Sequence, residues 1–153
     1  MLPLSALLIA IASLQATPGA DFAARAAELQ TRVEARLETA ANFPAQRAPE
    51  FGPSNELYVG LTEFSAQAMR LSLDMEARQG PEDLRCIFRG MAQDALDHRR
   101  ALATAEIAAD NIGTYRDLLY LLGHAEGVGP IADQDEIEPF TGTDPGCPRG
   151  PLD

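Results

Sequence analysis

The sequence predicts an all-α protein: a small bundle of about four helices followed by an extended Gly/Pro-rich C-terminal tail. Three observations carry this expectation. Between residues 21 and 126, apolar side chains recur every three or four positions, the spacing of one helix face. Gly and Pro gather between those stretches. No stretch alternates with period two strongly enough to read as a strand.

The chain opens with twenty residues that carry no charged side chain. The apolar run over residues 2–14 is too short to span a bilayer as a helix, which takes ~20 residues. It matches the hydrophobic core of a secretory signal. Two features depart from that pattern: no Arg precedes the run, and no well-placed small-x-small triplet follows it. Ala16 and Ala20 are the candidate end points. Residues 1–20 are therefore expected to be a signal peptide, leaving a periplasmic or secreted protein with no stable membrane anchor. Neither Cys lies near this segment, which leaves no lipid attachment site there.

Residues 21–126 are expected to form the bundle. Asp21 is the expected cap of the first helix, whose stripe is Phe22, Ala26, Leu29, Val33, Leu37 and Ala40. Three prolines within residues 42–53 make a connecting loop. The second helix is expected from a cap at Ser54, with the stripe Leu57, Leu61, Phe64, Ala68, Leu71 and Met75. A further line, Val59, Ala66 and Leu73 with Met69 beside it, lies roughly 160–200° away at ~100° per residue. This helix is either the most central one or lends its second face to a partner. Gly80 and Pro81 separate it from the third helix, where Glu82 and Asp83 suit the positive end of the dipole. The third stripe is Leu84, Phe88, Met91, Ala95, His98, Leu102 and Ala105. A turn is expected over residues 111–113, then a shorter helix with Tyr115, Leu118, Leu119 and Leu122 on one face. Residues 127–153 have no period and read as an extended acidic tail.

Charge and composition exclude several functions. The net charge is −11 at pH 7, and all twelve basic residues are Arg. Nucleic acid needs a positive patch, and anionic membranes repel such a chain. Without Lys there is no Schiff-base chemistry and no P-loop lysine. No serine sits in a nucleophile elbow, and there is no haem-attachment motif or Gly-rich phosphate loop. Nothing points to an enzyme or to a cofactor. The Ala- and Arg-rich, Lys-free composition suggests a bacterial source.

His98 falls in an apolar stripe with Asp94 one turn before it. The pair are weak candidates for metal ligation or acid–base work; a half-buried, hydrogen-bonded His is the structural reading. His124 lies about 180° from Tyr115, away from the apolar face of its helix, so a two-His site is not expected. Met69, Met75 and Met91 read as packing residues. Asp133, Asp135, Glu136 and Glu138 lack the register of a calcium loop and read as a solvated acidic cluster.

Cys86 lies about 200° around its helix from Leu84, facing away from the stripe, and Cys147 sits in the tail. An even count in an oxidising compartment suggests a Cys86–Cys147 bridge that staples the tail to the bundle. Closing a loop of that size stabilises by roughly 4 kcal/mol in the chain-entropy picture. The favoured function is protein binding after export, as an adaptor, inhibitor, chaperone or envelope-stress factor, with Val59, Ala66, Met69 and Leu73 as the interface. The partner would be a second copy or another envelope protein. The alternative is a ligand- or metal-binding bundle that uses the seam around His98.

Overall fold

Each apolar stripe read from the sequence becomes the inward face of a helix. The computed structural model describes residues 17–135 and 137. It contains α1 (Pro18–Asn42), α2 (Glu56–Ala77), α3 (Glu82–Thr104) and α4 (Asn111–Val128), with 3₁₀ turns at Ala108–Asp110 and Gly129–Asp133. The protein is an all-α, four-helix bundle. No helix among the described residues is long and apolar enough to cross a membrane.

Neighbouring helices run antiparallel. Ser65 and Ser72 of α2 donate to the carbonyls of Ala92 and Arg85 on α3 (2.8 and 3.0 Å), so chain direction reverses between these helices. Arg25–Glu63 (2.8 Å) and Arg32–Glu56 (3.6 Å) run α1 against α2 in the same antiparallel sense. Gln30 of α1 meets Glu126 of α4. Phe22, Phe64 and Phe88 join three helices at the centre. Phe22 stacks on Phe64 at 4.7 Å and meets Phe88 edge-on at 5.7 Å, and such pairs add about 0.5–1.5 kcal/mol each beyond area burial. Of the four stripes, only Leu37, His98, Ala105 and Leu119 are not fully buried.

The helix boundaries depart from expectation in four places, each with a local cause. First, α1 begins at Pro18 with Thr17 as its cap residue, so Asp21 lies inside the first turn. First-turn amides that have no partner within the helix are satisfied from across the chain. Gly19 and Ala20 donate their N–H groups to the Asp133 carboxylate, both at 2.7 Å, and the Thr17 hydroxyl donates to it as well. Second, α2 is capped by Asn55, not Ser54: its Oδ1 accepts from Leu57 N–H and Tyr58 N–H (3.0 and 3.4 Å). Third, residues 111–113 belong to the first turn of α4. The reversal falls at residues 105–110, where Ala105 is extended and Asp110 accepts from the amides of Glu106 and Ile107 (3.2 and 3.1 Å). Fourth, the bundle continues past residue 126, through the end of α4 and the Gly129–Asp133 turn packed on α1. The close approach requires glycine on both sides. A Cβ on Gly19 would collide with the Gly129 carbonyl oxygen, and one on Gly129 would sit 2.6 Å from the Gly19 carbonyl.

The two long connections meet at one end. Ala48 N–H donates to Glu106 O (2.9 Å), and Ala108 N–H to Gln46 O (2.8 Å), around a single antiparallel bridge between Arg47 and Ile107. At the other end, Gln79 closes α2 with φ of 55°. Gly80 N–H bonds to Met75 O (2.8 Å) and Gln79 N–H to Glu76 O (3.1 Å), a Schellman stop.

Candidate functional site

Two surfaces carry the residues singled out from the sequence. The first is the outer face of α2. Val59 and Leu73 are 41% and 52% exposed, and Ala66 between them is also exposed. Met69 is half-buried and packs against the core cluster. The inward stripe of α2 is buried along its full length, so α2 presents its second apolar line to solvent. Seven-residue steps keep that line straight along the helix.

The second surface is a groove of about 520 Å³ between α3 and α4. Cys86, Asp94 and His98 line it from α3; Asp117, Tyr120 and His124 line it from α4; Met91 and Leu121 contribute buried apolar surface. The Tyr120 and His124 rings lie 4.4 Å apart, tilted by 46°. His98 and His124 thus face one groove, contrary to the expectation that His124 points away. The cause is the width of the buried arc on α4. Leu121 and Ala125 are buried as well as Tyr115 and Leu118, which moves the centre of that arc by roughly 60°. His124 then stands on the flank of α4 that faces α3.

Asp94 and His98 share this groove, yet among the described residues no three His, Cys, Asp or Glu side chains are arranged to hold a metal ion. Cys86 is half-buried at the groove wall. Its expected partner, Cys147, lies outside the described residues, as do residues 1–16. Asp133, read from sequence as part of a solvated acidic cluster, instead holds the start of α1. No sequence signal links it to partners more than a hundred residues away.

The chain matches no protein-family model, and neither its sequence nor its structure has a match among curated proteins or solved structures.

Proposed function

We propose that this chain is an exported helical protein that acts by binding another protein through the outer face of α2. One observation carries the reading: Val59, Ala66 and Leu73 are apolar yet exposed in a line, while the opposite stripe of the same helix already fills the core. A surface helix needs only one apolar stripe to pack. A second, aligned stripe has a use if something covers it.

Export is supported by the uncharged apolar run over residues 2–14. A Cys86–Cys147 staple fits the place where the described chain ends. Ile137 lines a cavity together with Gly80, Pro81 and Glu82, one turn before Cys86. Cys147 lies ten positions after Ile137, a stretch that reaches up to ~33 Å when extended. Non-reducing peptide mapping tests the staple; two free thiols in exported protein would refute it.

The binding reading is tested by co-purification from envelope extract with the wild-type chain and with Leu73→Glu. The variant should lose the partner and keep its helical circular dichroism. A partner retained by Leu73→Glu, or a variant that unfolds, contradicts the reading.

A second reading is favoured by the shared lining of one groove by His98, His124, Asp94 and Asp117. There the chain would bind a small polar ligand. Mass spectrometry of the natively purified protein separates the two: a stoichiometric small molecule that His98→Leu removes supports the groove reading.

A further inference from the structure

One end of the groove between α3 and α4 opens where the described chain stops. Cys86 and Ile87, one turn into α3, form that end. Ile137 lines the neighbouring cavity at the start of α3 with Gly80, Pro81 and Glu82. The chain beyond Ile137 therefore starts beside the mouth of the groove, and the proposed Cys86–Cys147 bridge returns it there. Whatever follows Cys147 is then delivered to the groove itself.

The lining shows what kind of chain the groove suits. Its rims carry exposed apolar side chains, Ile87 on α3 and Tyr120 on α4, beside buried Met91 and Leu121. Gly90 leaves the α3 wall open: a Cβ there would meet nothing within 4 Å among the described residues. Further along stand Asp94 and Asp117, and no Arg lines the groove among the described residues. A short apolar segment with one positive charge matches this lining, and residues 148–152 are such a segment. Pro148, Pro151 and Leu152 are apolar, Gly150 is small, and Arg149 is the one arginine after Arg116. An otherwise acidic tail thus sets its single arginine two positions past Cys147. The lengths agree as well. Cys86 to His98 covers ~18 Å of helix, and Cys147 to Leu152 reaches up to ~17 Å when extended. Asp94 lies ~12 Å along α3 from Cys86; Arg149 stands up to ~7 Å from Cys147, and its long side chain covers the rest. Two prolines favour an extended chain and reduce the entropy lost on docking.

We propose that residues 148–152 of the chain itself occupy this groove. Held at Cys147, they run along α3 toward His98, with their apolar side chains over Ile87, Met91 and Tyr120 and Arg149 extended toward Asp94 and Asp117. The proposal rests on the Cys86–Cys147 staple and goes beyond it, because the bridge alone leaves the segment past Cys147 in solvent. The tether keeps that segment beside the groove at an effective concentration of about millimolar, so weak contacts suffice to seat it. A small ligand for the same groove must then displace the segment.

The test uses the full chain, exported from a bacterial host, with a photo-crosslinking side chain at position 152. Non-reducing peptide mapping reads the bridge first; two free thiols refute the staple and this proposal with it. With the bridge intact, irradiation should give an adduct within one chain that maps to residues 87–98 of α3 or 117–124 of α4. Arg149→Glu, which brings a third carboxylate to Asp94 and Asp117, should lower that yield about fivefold, and Arg149→Lys should keep most of it. Hydroxyl-radical footprinting checks the chain without the crosslinker. Tyr120 should be oxidised about three times faster in Arg149→Glu than in the wild type once the segment no longer covers it, with Tyr58 unchanged as the reference. An intact bridge refutes the docking and leaves the staple standing if the adduct maps elsewhere, joins two copies or does not form. So does an adduct yield, or a Tyr120 rate, that Arg149→Glu leaves unchanged.

Discussion

Replacing Asp133 with Ala should destabilise the bundle by about 2 kcal/mol, although Asp133 lies well outside the core. Its carboxylate accepts from Gly19 N–H and Ala20 N–H at 2.7 Å each and from the Thr17 hydroxyl, and thereby caps α1 from the far end of the described chain. Losing a helix cap costs ~1 kcal/mol. Losing a negative charge at a helix N-terminus adds about 0.3–1 kcal/mol. The Gly19 amide is part-buried and regains water poorly, which moves the sum toward the upper end. Thr17 is exposed and its hydroxyl exchanges protein for water at little loss. Urea unfolding followed by far-ultraviolet circular dichroism measures the effect. With a slope of about 1–3 kcal/mol per molar, the midpoint should fall by about 1 M. Asp133→Asn keeps an acceptor and loses the charge, so it should fall by roughly half as much. An unchanged midpoint in Asp133→Ala would refute the view that the two ends of the described chain hold each other.

Three further outcomes follow from the same geometry. Mature protein recovered from a bacterial envelope should begin at Thr17, because a cut after Ala20 would delete both amides held by Asp133; intact mass with Met1 retained contradicts export, and a start at Asp21 contradicts this choice of bond. Gln79→Gly should stabilise by about 1 kcal/mol, since Gln79 stands at φ of 55° where an L side chain is strained; a lower melting temperature would refute this. Burial raises the Tyr115 hydroxyl above the ordinary phenol value, with the Arg36 charge and a hydrogen bond from Asn111 opposing the rise. The unfolded chain then releases this proton first, so Tyr115 favours the fold fully below about pH 10 and less as pH climbs through the folded value. Tyr115→Phe should flatten that alkaline loss of stability.

The fold was legible because its core obeys the helical period. All six residues of the α2 stripe, from Leu57 to Met75, are buried, and so are Phe22, Phe88, Leu118 and Leu122. The ends of the helices were not legible, because they depend on partners distant in sequence. Gly19 and Ala20 look like the end of a leader until Asp133 is placed against their amides. The segment 111–113 looks like a turn, but Asn111 is buried in the first turn of α4 and the reversal is held by Asp110. The position of His124 is hidden for a similar reason: Leu121 and Ala125 widen the buried arc of α4, which a stripe counted from Tyr115 does not reveal. The pairing of Arg47 with Ile107 joins two loops 60 residues apart and leaves no periodic trace.

A photo-crosslinking side chain at position 73, read in living cells, tests the central claim most directly. Leu73 stands exposed on the outer face of α2, and Glu34 is an exposed control on α1. The account predicts a discrete adduct of one size from position 73, absent from position 34 and absent when Val59 is also changed to Glu. No adduct from position 73, or the same adduct from both positions, would contradict it.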